Sequence, residues 1–197
     1  MTIPSRPEAA RLLRSLEAPE WFLRHACAVA DVAAWLARRA ADRGLDVGVR
    51  LVDTGALLHD VDKLPAAGAG TPTLRHGDAA AAWLGARGWA ELAPVVRDHP
   101  VTRLAEPGWE AWMRASSLEG LIVAYADKRA GQRLEPMTER FASWRSRYPG
   151  GWDDATAAIV LVRARELERV VCDAAGVDPA DVRRLRWSRR ALRNAAS

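Results

Sequence analysis

The fold is organised around seven consecutive residues, Leu57-Leu58-His59-Asp60-Val61-Asp62-Lys63. The apolar run that precedes His59 predicts a buried helix, which delivers an imidazole and a carboxylate into the interior at its C-terminal end. A buried carboxylate without a partner is costly, and a divalent metal ion compensates it while accepting both ligand types. The stretch therefore predicts a metal site, although the end of a surface helix would explain an isolated His-Asp pair equally well.

The positions of the other histidines favour the metal site. The chain has four histidines, His25, His59, His76 and His99. Helical periodicity places each of them on the apolar face of its own segment, and it places Asp127 on the apolar face of a fifth segment. Residues at such offsets share one helix face, and that face points into the core. A hydrogen-bonded core side chain explains any one of them. Five segments that each send a metal-ligand residue inward indicate a common site.

Composition predicts an ordinary globular protein. The chain has 197 residues, 49% of them hydrophobic and 27% charged, with a net charge of +4. Its two cysteines, Cys27 and Cys172, form neither a disulfide framework nor a zinc motif, which is typical of a reducing cytoplasm. The first twenty residues lack the apolar core of a signal peptide, and no apolar run is long enough to span a membrane. We expect a cytoplasmic protein with no membrane partner.

The chain is predicted to be all-α, a helical bundle without strands or internal repeats. The predicted division is a metal-binding domain over residues 1–150 and a C-terminal helical extension over residues 151–197, packed on it. An exposed loop is predicted at 64–75, and a basic terminal helix at about 178–194. That helix is interpreted as solvated rather than as a nucleic-acid surface. The remaining predicted helices span about 7–18, 20–43, 47–60, 76–86, 89–98, 117–131, 135–147 and 153–175.

Four imidazoles and two carboxylates exceed the needs of one catalytic ion. Six ligands suit two divalent ions, with Asp60 as the natural bridge because its carboxylate has two oxygens. The mixture favours iron or manganese, with zinc, nickel, cobalt or magnesium as further candidates. Two such ions clamp the oxygens of a phosphoryl group. Lys63, Arg129 and Arg133 are the candidate ligands for phosphate charge.

The set of His25, the pair His59-Asp60 and Asp127 on an all-helical chain resembles the HD superfamily of metal-dependent phosphohydrolases, over about residues 20–132. The segment His59-Asp60-Val61-Asp62-Lys63 is similar to the superfamily's His-Asp-x-x-Lys form. His76-Gly77 and His99 resemble the extra histidines of its dinuclear branches. The resemblance implies that His25, His59, Asp60 and Asp127 hold one metal, and that Asp60, His76 and His99 hold the second.

Two further stretches resemble the bacterial symmetrical diadenosine tetraphosphatases, a di-iron family: Leu74-Arg75-His76-Gly77 and Tyr125-Ala126-Asp127-Lys128. The sequence Pro100-Val101-Thr102 departs from that family's Thr-Thr-Gly turn.

The expected activity is hydrolysis of a phosphoester or phosphoanhydride in a nucleotide-like substrate, by attack of a metal-bound hydroxide, with Asp60 and Lys63 as catalytic residues. The alternatives are an HD-type di-iron oxygenase and a nucleotide-binding regulatory module without turnover. Nucleic acid is not an expected partner, and a homodimer stays open.

Overall fold

The computed structural model describes residues 3–68, 73–131, 134–147 and 151–185. These residues form helices, and their only β-type pairing is an isolated bridge between Ala130 and Leu134. The prediction of an all-α fold is confirmed. The α-helices, in chain order, are α1 (Arg6–Ser15), α2 (Glu20–Asp42), α3 (Val49–Leu58), α4 (Pro65–Gly68), α5 (Asp78–Ala86), α6 (Ala93–Arg97), α7 (Trp109–Ala115), α8 (Leu118–Arg129), α9 (Met137–Arg147), α10 (Asp154–Ala175) and α11 (Pro179–Arg183).

Local sequence signals explain where the two longest helices begin and end. Helix α2 follows Pro19 and is closed by Gly44, which adopts a φ of 83°. Asp153 caps α10 by accepting a hydrogen bond from the Thr156 backbone N–H at 2.7 Å. Gly176 ends α10 in the left-handed conformation with a φ of 63°, which glycine adopts without steric cost.

Helix α2 is the central element of the core and packs against α3, α8 and α10. Its buried face is rich in alanine, and small side chains let neighbouring helices approach closely. Helix α10 buries Val160, Ala164, Leu167 and Val171 in the same core. The helix therefore packs on the preceding part of the chain, whereas the division into domains at residue 150 stays a prediction. Most of the predicted basic terminal helix, from residue 186 onward, lies outside the described residues.

Three histidines lie just beyond the ends of helices, which for His59 and His76 differs from the prediction. Helix α3 ends at Leu58, immediately before His59. His76 precedes α5, and His99 follows the end of α6. The prediction that helices include His59 and His76 was therefore wrong, whereas the predicted helix at 89–98 already ended before His99. The turns direct these imidazoles towards one end of the bundle.

The predicted exposed loop at 64–75 is partly helical. Helix α4 spans Pro65–Gly68, and the side chains of Leu64 and Ala67 are buried. Proline is tolerated in the first turn of a helix, which is where Pro65 lies. No helix among the described residues is long and apolar enough to cross a membrane.

Candidate metal centre

The structure brings all six predicted metal ligands together at one end of the bundle. They come from α2, α8 and the turns that follow α3 and α6 or precede α5. Five of them are buried, and His76 is half-buried. The six are His25, His59, Asp60, His76, His99 and Asp127.

The first group of ligand atoms forms around one oxygen of Asp60. The Nε2 atom of His25 lies 3.2 Å from His59 Nε2, 3.4 Å from Asp60 Oδ2 and 3.4 Å from Asp127 Oδ1. His59 Nε2 lies 3.5 Å from Asp60 Oδ2 and 3.6 Å from Asp127 Oδ1. Two imidazoles and two carboxylates therefore converge on one point.

The second group forms around the other oxygen of the same carboxylate. His76 Nε2 and His99 Nε2 each lie 3.2 Å from Asp60 Oδ1, and the two nitrogens are 3.0 Å apart. Asp60 thus belongs to both groups, with Oδ2 in the first and Oδ1 in the second. A single carboxylate that offers one oxygen to each of two groups is the arrangement of a bridging ligand.

The spacing of the ligand atoms fits divalent transition metals. Ligands bound at about 2.1 Å lie roughly 3.0 Å apart at right angles and roughly 3.4 Å apart in a tetrahedron. The distances within the two groups run from 3.0 to 3.6 Å. Two sets of three residues are close enough together to hold a metal ion each. One set is His25, His59 and Asp60, and the other is Asp60, His76 and His99.

Backbone carbonyl oxygens fix the orientation of two of the imidazoles. His59 Nδ1 lies 2.7 Å from the Ala56 carbonyl oxygen, and His99 Nδ1 lies 2.6 Å from the Val96 carbonyl oxygen. A carbonyl oxygen only accepts, so both Nδ1 atoms donate, and both rings direct Nε2 towards the cluster. Lone pairs that face each other and two carboxylates repel unless a proton or a cation lies between them.

The pKa values of His25 and His76 show the same demand for positive charge, whereas that of His99 reflects its burial. Burial lowers the pKa of His99 to about 4. Burial also disfavours the charged form of His25, but the carboxylates of Asp127 and Asp60 outweigh it and raise its pKa to about 9. For His76, Asp60 and Asp62 likewise outweigh burial and raise the pKa to about 9. Protons that two imidazoles retain so strongly stand where a metal ion would place its charge.

Comparison with known proteins agrees with this geometry. The sequence profile described as HD domain matches residues 22–131, which is more than half of the chain. The chain belongs to the HD domain family. A search of curated proteins found no match, and neither did a search of solved structures. Most HD domains are metal-dependent phosphohydrolases, and all six candidate ligands lie within the matched segment. The narrower likeness to diadenosine tetraphosphatases stays a prediction.

The HD cluster has a carboxylate behind His76 that sequence reasoning missed. Asp62 Oδ2 lies 2.9 Å from His76 Nδ1 and accepts a hydrogen bond from the Gly77 backbone N–H at 3.0 Å. Gly77 has a φ of 87°, and a Cβ there would lie 2.3 Å from the Arg97 carbonyl oxygen, so only glycine fits this turn. The available signal was the second carboxylate of the opening motif, two residues after Asp60.

Asp62→Asn is expected to weaken the second metal group selectively. The carboxylate fixes the ring of His76 and increases its basicity, and loss of such a partner typically costs about 10- to 100-fold in metal affinity. Metal titration by calorimetry should show one site weakened and one unchanged. Asp46→Asn, at an exposed position, is the matched control. Equal weakening of both sites, or of neither, would contradict the role given to Asp62.

The predicted phosphate ligands have different positions. Lys63 lies beside the cluster, where its Nζ donates to Asp60 Oδ2 at 2.7 Å and 45% of its side chain is exposed. Arg129 does not reach the cluster. Its guanidinium donates to the Tyr125 hydroxyl, to Glu168 and to two backbone carbonyl oxygens. The structure gives Arg129 a structural position, which argues against a role in substrate binding. Arg133 lies outside the described residues.

The second lysine, Lys128, is buried under the cluster. Its Nζ donates to the His99 carbonyl oxygen at 2.5 Å and to the Ala124 carbonyl oxygen at 3.1 Å, and it lies 3.9 Å from Asp127 Oδ2. Burial lowers its pKa to about 8. Lys128 therefore ties the turn that carries His99 to the helix that carries Asp127.

The cluster opens into a cavity of about 720 Å³. Its floor contains ligands from both groups together with Lys63. One wall is the segment Pro100–Thr102, which follows His99. The other wall comes from α9 and the start of the next segment, and contains Arg140, Trp144, Arg145 and Trp152. The centre is thus accessible to a small-molecule ligand through this cavity.

Proposed function

We propose that this HD protein is a metal-dependent phosphohydrolase that cleaves a phosphoester or phosphoanhydride of a nucleotide-like substrate. We propose two divalent transition metal ions as its cofactors, with iron or manganese as the first candidates. The observation that carries the proposal is the position of Asp60, whose two oxygens belong to two separate ligand groups. A second supporting observation is the cavity, which places Lys63 next to the ligands that face solvent.

The residues that would hold the ions form two sets that share the Asp60 carboxylate. His25, His59 and Asp127 would complete the first site, and His76 and His99 would complete the second. When bound, two such ions polarise a phosphoryl group and lower the pKa of water. The imidazoles of His59, His76 and His99 would hold the ions through Nε2, because their Nδ1 atoms already donate to carbonyl or carboxylate oxygens.

Lys63 supplies the positive charge on the substrate side. Its ammonium lies above Asp60 at the edge of the cavity floor, on a flexible stem, and it is partly exposed to the cavity. The neighbouring carboxylates of Asp60 and Asp127 outweigh burial and raise its pKa. The ammonium is therefore charged at neutral pH and can donate to a phosphoryl oxygen of the substrate.

Metal-dependent hydrolysis under argon tests this function. The protein is purified anaerobically, loaded with Fe(II) or Mn(II), and assayed for phosphate release from a panel of nucleotides and phosphoesters. We expect turnover that a chelator abolishes and that added metal restores. Turnover that requires dioxygen would favour the oxygenase alternative. Binding of nucleotides without turnover in any metal form would favour the regulatory module.

Lys63→Ala is expected to retain both metals and to lose about tenfold in kcat/KM. A hydrogen bond to a charged group contributes roughly 1.5–3 kcal/mol, and the partial exposure of Lys63 places it at the lower end. Lys63→Arg keeps the charge and should lose less. Steady-state kinetics with parallel metal analysis separates the two effects. Unchanged kinetics in Lys63→Ala would return Lys63 to a surface role.

A further inference from the structure

The cavity is larger than the metal centre and one phosphate group require. Its volume of about 720 Å³ lies within the range of roughly 300–1,000 Å³ that is typical of sites for whole small molecules. The metal ligands occupy only its floor. The α9 wall is defined as Arg140, Trp144, Arg145 and Trp152, and it lies outside the segment that the HD domain profile matches. This wall is therefore contributed by residues that follow the matched segment.

Trp144 offers an aromatic surface that is held in place. Its ring meets the ring of Phe141 edge to face, with centroids 4.9 Å apart and an interplanar angle of 82°. The guanidinium carbon of Arg140 lies over the Trp144 ring, 4.6 Å from its centroid, so a planar ligand would stack on the face that Arg140 does not cover. The side chain is half-buried, so part of the indole contacts the core while part lines the cavity. A rigid indole of this kind stacks on planar rings at a low cost in conformational entropy.

The same wall carries two cations. Arg140 is buried against Trp144, and Arg145 pairs with Asp154 at 2.5 Å. Both members of the Arg145–Asp154 pair are exposed, so the pair is weak and its arginine can turn to an anionic ligand. A purely apolar ligand would gain nothing from guanidinium groups, and a small phosphoester would gain nothing from an indole. A planar ring attached to an anionic group uses both.

We propose that the α9 wall is a subsite for a nucleobase, with Trp144 as the surface on which the base stacks. The base end of the ligand would lie against Trp144, and its anionic end would extend past the arginines towards Lys63. This inference rests on the proposed function for the phosphate end, and it assigns the base of the nucleotide-like substrate to the α9 wall. The stacking itself does not depend on hydrolysis.

Binding of nucleosides to the metal-loaded full-length chain tests the subsite. Nucleosides carry the base but no phosphate, so their binding is measured without turnover, by calorimetry or by quenching of tryptophan fluorescence. We expect adenosine or guanosine to bind and free ribose not to bind. Stacking on an aromatic side chain corresponds to about 5- to 150-fold in affinity, so Trp144→Ala should weaken nucleoside binding by a factor in this range.

Two variants make the result specific. Trp144→Phe retains an aromatic face and should bind nucleosides nearly as well as the wild type, with an unchanged melting temperature. Trp21→Ala removes an exposed tryptophan that does not line the cavity, and should leave binding unchanged. Absence of nucleoside binding, or binding that survives in Trp144→Ala, would overturn the subsite. Nucleoside binding that depends on Trp144 in a protein without phosphohydrolase activity would overturn the proposed function and leave the subsite standing.

Discussion

Asp60→Ala is expected to remove both metal ions together and to reduce turnover to background. The reason is geometric, because Oδ2 of Asp60 serves one ligand group and Oδ1 serves the other. The variant also removes the carboxylate against which the pKa of His76 is raised, so the imidazoles lose their common partner. Metal analysis of anaerobically purified protein should give about two transition metals per wild-type chain and almost none in the variant.

The matched comparison is His76→Ala, which removes a ligand of the second group only. It should retain one metal per chain, because the contacts that the structure describes for His76 do not include His25 or His59. Asp46→Ala, at an exposed position, controls for the loss of a carboxylate as such. Full occupancy and activity in Asp60→Ala would show that the whole assignment of the site is wrong. Retention of one metal in Asp60→Ala would argue against the bridging role.

The convergence of the six candidate ligands was predictable because their chemistry is rare in this sequence. Four histidines on apolar segments have few other uses, and the pair His59-Asp60 provides an anchor for the resemblance. The helical reasoning behind their placement was only partly right. His25 and Asp127 do lie on the helices α2 and α8, whereas the other ligands lie in turns. Helical periodicity still selected residues that converge there, because a turn next to a buried helix face continues towards the same interior.

The sequence already indicated that Arg129 faces away from Asp127, although Arg129 was predicted to bind phosphate. Successive residues of an α-helix are about 100° apart, so Arg129 is rotated by roughly 200° from Asp127, two positions earlier on α8. A residue at that offset faces away from the metal centre. The partners of Arg129 come from α10 and from the segments that precede α9 and begin α11. Long-range contacts of this kind have no local signal in a single sequence.

The cavity walls were unpredictable for the same reason. Trp144 and Trp152 lie on either side of a break between helices, and nothing in their spacing connects them with His76 or Lys63. Contacts of α9 with α8 and α10 bring this wall to the metal centre. Asp62 was a different case. Its position two residues after Asp60 was visible in the sequence, and its contact with His76 shows why a carboxylate stands there.

Arg129→Ala is expected to destabilise the fold while leaving the metal centre intact. The side chain is 2% exposed, and its guanidinium donates to Glu168 at 2.6 Å, to the Tyr125 hydroxyl at 2.7 Å and to backbone carbonyl oxygens at 2.8 and 3.0 Å. Removal of one partner from a buried ion pair leaves the other charge uncompensated and costs about 3–5 kcal/mol. For a chain of this size the melting temperature should fall by roughly 6–20 °C. Urea unfolding measures the free energy directly.

The control is Arg169→Ala, which removes an exposed arginine that pairs with Asp173 four residues further along α10. Such surface pairs contribute about 0.3–0.5 kcal/mol, so this variant should unfold almost as the wild type does. Metal content and kcat/KM per folded molecule should be unchanged in both variants, because neither residue lines the cavity. Wild-type stability of Arg129→Ala together with weaker substrate binding would return Arg129 to the phosphate site. Loss of stability with normal turnover would confirm that Arg129 fastens α8 to α10, behind the helix that carries Asp127.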